Sequence, residues 1–409
     1  MKNIFASSNR RMLFILFTMF LNFLGFSIII PILPFLVQQY VSPTDVAFYV
    51  GTLLSVYALC QFFASPGLGA LSDYVGRRPI LLISLLGSVI GYIILGIGGA
   101  MWVLFLGRII DGLTGGNIST VYAYIADITE PKDRGKTYGL IGAAGGFGFM
   151  IGPALGGLLA TISIPTPLFV AAGITFLNLL WGYFVLPESL LQEHKSKTIN
   201  LTHLNPFAQF SHIFTFAILR RIFVASFLFF LALYALYGNA SVYMKDVLGW
   251  NATEIGLLLF IVGIVDIITQ GMIVRKLLPI FGEIKVASLG LFLTIGGFVI
   301  AALITVFPSP FLLYVGVIII NIGDGLFEPS QNTLISNTVD RKMMGRVQGA
   351  NQGMQAIARV FGPLFAAYTY PVWRGLPYAS GALLILGGLI IFFISRSIIS
   401  SHKAESISA

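Results

Sequence analysis

The sequence predicts an all-α membrane protein with twelve transmembrane helices in two six-helix, pseudo-symmetric halves. The first observation is compositional: the 409 residues are 57% hydrophobic and only 10% charged, with a mean hydropathy of +0.91, whereas soluble domains carry about 25% charged residues. The second is that apolar stretches of about 20 residues, enough to span a bilayer as a helix, recur along the chain. The third is an internal repeat with an offset of about half the chain length.

This composition excludes a soluble enzyme, a nucleic-acid-binding protein and a secreted disulfide scaffold. Cys60 is the only cysteine, so no intrachain disulfide can form. The net charge of +8 is therefore interpreted as a signal of membrane topology, and not as a sign of an acidic partner.

Hydrophobic runs between charged residues and Pro or Gly breaks define the spans. The predicted spans, numbered 1 to 12, cover residues 11–38, 46–72, 79–99, 102–126, 135–161, 166–187, 219–244, 252–274, 286–306, 310–337, 345–371 and 376–396. The first is too long for a cleavable signal peptide and leads straight into the second. Residues 1–187 are predicted to form one half and residues 219–409 the other, joined by a cytoplasmic linker at 188–218.

The basic residues orient these spans. Twenty of the 24 Lys and Arg residues fall on one side of the predicted membrane, two (Lys245 and Arg374) on the other and two (Arg108 and Arg359) within spans. The positive-inside rule therefore predicts a multi-pass protein of the cell (inner) membrane with both termini in the cytoplasm.

The repeat links the two halves. Residues 135–139, followed by Gly152-Pro153, recur 210 positions later as residues 345–349, followed by Gly362-Pro363. Duplicated halves of this kind are typical of transporters whose binding site lies near the membrane midplane between them. The sequence therefore favours a secondary transporter, most simply a monomer.

The loop between spans 2 and 3 carries a spaced motif. It reads Gly69-Ala-Leu-Ser-Asp73-Tyr-Val-Gly76-Arg77-Arg78-Pro79. Its small residues allow close helix approach and a tight turn, and its charges can pair with neighbours. A weaker copy of this motif occurs in the second half, at residues 271–285. The alternative to a functional loop is a charged turn that only satisfies topology.

Span 5 carries a glycine-rich pattern with an embedded proline. Small residues at helical spacing let helix backbones approach closely within lipid. The members of this pattern are Gly139, Gly148, Gly152, Pro153, Gly156 and Gly157. The alternative interpretation is a generic small-residue packing face.

These motifs together resemble the major facilitator superfamily, and within it the twelve-helix tetracycline:proton and multidrug:proton antiporters. The resemblance implies that the span 2–3 loop stabilises one end state through charge contacts, with Asp127 and Arg134 as partners. It also implies that the span 5 pattern is the antiporter signature, and that Arg108 of span 4 takes part in proton coupling.

Charged groups within spans are costly unless they are paired or face water, so each is a functional candidate. Arg108 and Asp111 share a helix face, and the alternative is that they form a self-neutralising pair. Asp324 and Glu328 are also one turn apart, and two carboxylates in a poorly solvated site favour protonation of at least one.

Two further charged groups lie within the second half. Arg359 of span 11 can pair with either span 10 carboxylate, which leaves a structural pair as the alternative to a proton carrier. Asp266 of span 8 is a third candidate for proton coupling.

The chain departs from both antiporter groups that it resembles. Tetracycline exporters carry acidic residues in spans 1 and 3, where this sequence has Asn22 and Tyr92, and multidrug exporters carry a glutamate in span 7. The coupling carboxylates are therefore predicted to lie in spans 8 and 10. The predicted substrate-binding residues are Asn22, Tyr57, Gln61, Tyr234, Tyr237 and Gln331.

The sequence as a whole predicts a proton-coupled antiporter that exports lipophilic or amphiphilic small molecules, with no catalytic residues, cofactor or metal. Its expected partners are the substrate, protons and membrane lipid. One alternative is an exporter of an endogenous metabolite, such as a siderophore, sugar or amino acid, and another is a passive uniporter. A membrane enzyme is disfavoured because all four histidines fall in the linker or the tail.

Overall fold

A computed structural model of the chain describes residues 2–196, 205–207, 217–339 and 343–408. Within these ranges the regular structure is entirely helical. The α-helices are α1 (Lys2–Ile28), α2 (Leu33–Val37), α3 (Val46–Val75), α4 (Arg77–Ile97), α5 (Met101–Thr114), α6 (Ile118–Ile128), α7 (Arg134–Leu159), α8 (Thr166–Val185), α9 (Ala217–Leu248), α10 (Ala252–Ile268), α11 (Val274–Phe281), α12 (Glu283–Leu303), α13 (Pro310–Thr338), α14 (Met344–Thr369) and α15 (Leu376–Ser408).

Ten helical runs among the described residues are long and apolar enough to cross a membrane. The prediction of an all-helical membrane protein is therefore confirmed, and the ten runs are consistent with twelve spans. The two remaining predicted spans are the fourth and the eleventh. Span 4 is divided into α5 and α6 by a 3₁₀ turn at Gly115–Asn117. In span 11, α14 carries the polar residues Asn351, Gln355 and Arg359 among its apolar ones.

Two further spans differ in shape from their sequence predictions. Span 1 is not one continuous helix to residue 38: α1 ends at Ile28 and a turn precedes the short α2. Pro31 and Pro34 explain the break, because proline lacks the N–H that continues a helix ladder. Span 8 runs on to Phe281 through a π-helical turn at Thr269–Ile273, and such turns often occur at functional sites.

The described residues pack into two compact units. The first unit consists of the described residues within Met1–Val46, Val56–Pro206 and Trp250–Gly263, and the second of those within Ala47–Ser55, Phe207–Gly249 and Ile264–Ala409. The first part of α3 thus belongs to the second unit, and most of α10 belongs to the first. The predicted domain boundaries stay a prediction, and linker residues 197–204 and 208–216 lie outside the described residues.

The core of the first unit joins residues from separate helices. Phe14 of α1, Leu81 of α4, Tyr124 of α6 and Ile141 of α7 are fully buried in one cluster. Because lipid tails are as apolar as these side chains, the contacts stabilise the unit through close packing and not through removal of water.

Candidate functional site

The first unit buries an ion pair on α5. The Arg108 Nη1 and Asp111 Oδ2 atoms lie 3.6 Å apart, as expected for residues three apart on a helix. Ser88 of α4 donates a 2.9 Å hydrogen bond to Asp111 Oδ1. Arg108 is 0% exposed and Asp111 is 2% exposed, so we call Arg108 and Asp111 the sealed pair.

The guanidinium of the sealed pair has unused hydrogen-bonding capacity. Its Nε, Nη1 and Nη2 atoms are buried and have no hydrogen-bond partner among the described residues, although arginine offers five N–H donors. The guanidinium carbon lies 4.8 Å from the ring centroid of Tyr57, so the aromatic face also contributes to its stabilisation. Arg108 is therefore enclosed by its ion pair and by the Tyr57 ring, and none of its N–H groups is hydrogen-bonded to the described residues.

Glycines bring the helices around the sealed pair close together. A Cβ atom added at Gly91 of α4 would lie 2.8 Å from the Asp111 Cβ, and one added at Gly112 would lie 2.7 Å from the Tyr57 carbonyl oxygen. Such separations are too short for van der Waals contact. The glycines therefore allow α3 and α4 to approach α5 and enclose the pair.

Three of the predicted substrate-binding residues surround the break in span 4. Gln61 Nε2 donates to the Gly115 carbonyl oxygen at 3.0 Å and lies 3.4 Å from the Tyr57 hydroxyl. Asn22 Nδ2 donates to Asn117 Oδ1 at 3.0 Å. Backbone freed from a helix ladder within the membrane needs such partners. Asn117 was not among the sequence candidates, and its role follows from the break.

The second unit contains a group of carboxylates that we call the acidic cluster: Asp266, Asp324 and Glu328. The Tyr237 hydroxyl of α9 lies 3.5 Å from Asp324 Oδ2. Oδ1 of Asp324 is buried and has no hydrogen-bond partner among the described residues. Each of the three carboxylate residues is only half-buried, which distinguishes them from the sealed pair.

Asp266 comes close to the other two carboxylates from α10. Its Oδ1 atom would lie 3.6 Å from a Cβ added at Gly325, next to Asp324 on α13. Gln270 donates a 2.7 Å hydrogen bond to the same oxygen. Gln270 was not among the sequence candidates, although its position four residues after Asp266 places both on one helix face.

Arg359 is the cation beside the acidic cluster. It interacts electrostatically with Glu328, and its Nη2 atom lies 3.1 Å from the Tyr234 hydroxyl. The guanidinium carbon lies 5.2 Å from the centroid of the same ring. Of the two predicted partners, Glu328 therefore interacts with Arg359, and the tyrosine orients the guanidinium from its other side.

Gln331 makes a contact that involves none of the other predicted substrate-binding residues. It is fully buried and donates a 2.9 Å hydrogen bond to Asn351 Oδ1 of α14. Asn351 in turn donates a 2.8 Å hydrogen bond to Asn332 Oδ1. The structure gives Gln331 a part in joining α13 to α14, which is the ordinary use of amide side chains between membrane helices.

The span 2–3 loop is held by ion pairs. Arg77, in the first turn of α4, pairs with Asp73 and lies 3.4 Å from Asp127 Oδ2 at the end of α6. Arg134 was expected to contact this loop. It donates instead to the carbonyl oxygens of Ala126 and Thr129. A cation at the carboxyl end of a helix satisfies carbonyl groups that the helix leaves unpaired, which explains this placement.

Glu188, which was not among the sequence candidates, completes the loop. Its carboxylate accepts hydrogen bonds from the backbone N–H groups of Arg77 and Arg78, at 2.8 and 3.2 Å. These N–H groups begin α4, where an anion is stabilised by unpaired donors and the helix dipole. Gly76 has a φ angle of +126°, and a Cβ there would collide with the Glu188 carboxylate.

The glycine pattern of span 5 has two packing faces. Gly148, Gly152 and Gly156 lie against backbone atoms of α1, and Gly157 lies against the Ala252 carbonyl oxygen at the start of α10. Thr253 of α10 donates a 2.9 Å hydrogen bond to the Gly157 carbonyl oxygen. These four glycines thus permit backbone contact.

Gly139 differs from the rest of the span 5 pattern. A Cβ atom built at this position meets no heavy atom of the described chain within 4 Å. Its place in the pattern therefore has no packing explanation in this structure.

A family model described as "Major Facilitator Superfamily" matches residues 15–363. "Tetracycline resistance protein, class C" of Escherichia coli is 34% identical over 393 residues, covering 93% of this chain and 95% of that protein. "Multidrug resistance protein 2" of Bacillus subtilis (strain 168) is 26% identical, covering 92% of each chain.

Solved structures share the same architecture. The crystal structure of the human organic anion transporter MFSD10 (TETRAN) has a TM-score of 0.70 at 24% identity, covering 94% of this chain and 99% of that one. A peptide transporter, POT, in complex with sulfate has a TM-score of 0.78 at 15% identity, covering 96% and 95%. At these identities the likeness establishes the fold alone.

Proposed function

The chain belongs to the major facilitator superfamily, and we propose that it is a proton-coupled antiporter that exports lipophilic or amphiphilic small molecules by alternating access. The tetracycline resistance proteins named among its relatives support drug efflux as the function, and identity to them reaches 34% over most of both chains. Resistance to a small molecule by a membrane transporter requires outward movement of that molecule.

The charge of the acidic cluster is the observation that carries this proposal. Among the described residues, Asp266, Asp324 and Glu328 offer three carboxylates to one guanidinium, that of Arg359. Uncompensated charge in a membrane span is costly, so at least one carboxylate needs a proton or another cation to neutralise it. Competition between a proton and the substrate for the same group is the simplest physical basis for antiport.

The partial exposure of the acidic cluster supports this role. A proton carrier has to exchange with water from each side in turn, and none of the three carboxylate residues is fully enclosed. Tyr237 can follow the charge of Asp324, because its hydroxyl either donates to an ionised carboxylate or accepts from a protonated one.

The sealed pair has a positioning role in this proposal. Arg108 and Asp111 neutralise one another, so they need no proton to stay buried. Arg108 is enclosed and does not itself meet the substrate; it fixes the Tyr57 ring, 4.8 Å away, beside the aromatic side chains that would contact a substrate with an aromatic body. Phe26 lies 5.6 Å from Tyr57 and 6.4 Å from Phe149, measured between ring centroids, and adds an apolar surface for such a compound.

The packing motifs complete the mechanism as conformational elements. The ion pairs of Arg77 stabilise one end state, and glycine contacts between α7 and α10 allow backbones to meet and separate without side chains that interlock. We place the protein in the cell (inner) membrane with cytoplasmic termini, as a monomer that works with protons and lipid. Its energy comes from the proton gradient.

Proton release on substrate addition tests this function. Inverted membrane vesicles are acidified inside, and a pH-sensitive dye reports the lumen while cationic, zwitterionic and neutral amphiphilic compounds are added. A substrate is expected to raise the luminal pH as it enters, and a protonophore is expected to abolish its accumulation. Accumulation that continues unchanged after the proton gradient has collapsed would overturn the proposal.

A further inference from the structure

Two equivalent loops, one in each unit, differ in whether their basic side chains have partners. Gly76 and Gly282 have φ angles of +126° and +76° and directly precede α4 and α12. In the first loop the cations are bound: Arg77 pairs with Asp73, and Arg78 donates to the Tyr183 carbonyl oxygen at 2.7 Å. The cations of the first loop therefore have partners, within the loop for Arg77 and on α8 for Arg78.

The second loop lacks a counterpart of Asp73. Aligned on the glycines, Pro279 stands where the first loop has Asp73, and Glu283 stands where it has Arg77. Glu283 Oε1 accepts a 3.0 Å hydrogen bond from Asn337. Three exposed cations remain without a partner among the described residues: Arg275, Lys276 and Lys285.

An apolar groove adjoins one of these cations. It lies between α11 and α12, has a volume of about 160 Å³ and is lined by Leu277, Phe281, Lys285, Val286 and Leu289. This volume is several times the roughly 30 Å³ that one water molecule occupies in the liquid. It therefore accommodates a segment of an acyl chain.

The groove opens on a surface suited to lipid. Lys285, Leu289 and Phe292 recur at helical spacing on one face of α12. Leu289 is 43% exposed, Phe292 66% and, across the groove, Phe281 52%. Lys285 is the charged end of this apolar stripe, so its ammonium can reach the headgroup level while the stripe contacts acyl chains.

We propose that this groove is a binding site for an anionic phospholipid. The lipid phosphate contacts Lys285, with Lys276 and Arg275 adding to the positive field, and one acyl chain lies against Leu277 and Leu289. The lipid would supply to the second loop the negative charge that Asp73 supplies to the first. Basic groups beside a cleft between membrane helices are a recognised arrangement for anionic headgroups.

Lipid retention by the purified full chain tests this site. Native mass spectrometry measures the lipid that stays bound after exchange from nanodiscs of phosphatidylglycerol or of phosphatidylcholine with identical chains. Each basic residue near a membrane surface contributes about fivefold to anionic binding, so Lys276→Gln with Lys285→Gln should lower phosphatidylglycerol retention by about 25-fold. The unmodified protein is expected to retain phosphatidylglycerol in preference to phosphatidylcholine.

Two further variants separate the site from general charge. Lys136→Gln with Arg220→Gln removes two exposed cations from α7 and α9 and should leave retention unchanged. Leu289→Ser keeps every charge but removes an apolar wall of the groove, and it should weaken retention several-fold. The half-exposed position of Leu289 lets the variant fold, which thermal melting in detergent verifies.

Three results would overturn the proposal. One is equal retention of the two lipids by the unmodified protein, and another is equal loss in the Lys136/Arg220 variant, because either would mean that the lysines only face headgroups in general. The third is competition by glycerophosphoglycerol, the headgroup without acyl chains, as effective as that of the whole lipid. That result would exclude a part for the groove.

Discussion

The two units bury charge in different ways. The sealed pair of the first unit matches one guanidinium with one carboxylate, and both are almost fully enclosed. The acidic cluster of the second unit sets three half-buried carboxylates beside one guanidinium. A charged residue within a span is therefore not informative by itself. Its balance of charge and its access to water decide between a structural and a coupling role.

The largest expected effect is on the acidic cluster. Asp324→Asn removes a group that can gain and lose a proton but keeps its size, so substrate accumulation driven by a pH gradient should fall by about 100-fold, as for other positioned proton-transfer groups. Exchange of substrate for substrate at equal pH requires no net proton movement and should be retained. Both rates are measured in inverted vesicles with the same compound.

Asp45→Asn is the matched control for this prediction. Asp45 is an exposed carboxylate before α3, and its amide should leave both rates unchanged. If Asp324→Asn accumulated substrate as fast as the unmodified protein, the assignment of coupling to the acidic cluster would be wrong.

Substitutions in the sealed pair should change the stability of the folded state. Arg108→Gln leaves Asp111 buried without its cation, so the folded state should lose about 3–5 kcal/mol. Adding Asp111→Asn removes the stranded charge and should restore most of that stability, because an amide pair can exchange a hydrogen bond. Thermal melting of the single and double variants in detergent measures the difference. A double variant no more stable than the single one would contradict a self-neutralising pair.

The glycine pattern of span 5 provides a comparison within one helix. Gly157→Ala adds a methyl group 2.5 Å from the Ala252 carbonyl oxygen and should destabilise the packing of α7 on α10 by about 1–3 kcal/mol. Gly139→Ala meets nothing within 4 Å, and it should stabilise the helix by about 0.5–1 kcal/mol. Melting temperatures in detergent should move in opposite directions, and equal shifts would rule out this packing account.

The smallest effect is expected at the two loops. Glu188→Gln weakens the anionic cap at the start of α4, so the folded state should lose about 1 kcal/mol. Glu283→Gln, at the equivalent start of α12, changes a half-buried group whose hydrogen bond is with an exposed asparagine, and it should change stability by less than about 0.5 kcal/mol. Paired melting curves compare the two, and a larger loss at Glu283 would reverse this ranking.

Much of the candidate site could be predicted from the sequence, because its groups are rare within apolar spans. Arg108 with Asp111, and Asp324 with Glu328, stand out by composition and pair by helical spacing alone. Ser88 and Glu188 could not be predicted in this way. Each reaches its partner from another helix or from the chain after α8, and nothing in the local sequence distinguishes them from ordinary polar residues.

The sequence by itself determined the membrane class, the repeat and the charged groups within spans, since apolar length and charge are properties of short windows. The tertiary structure decided which charges are neutralised. It divided span 4 at Gly115–Asn117, enclosed Arg108 under the Tyr57 ring, turned Arg134 away from the loop and brought Asp266 to the carboxylates of α13. The physical reason is that compensation of a buried charge depends on groups that are distant in sequence, and only packing brings such groups within a few ångströms.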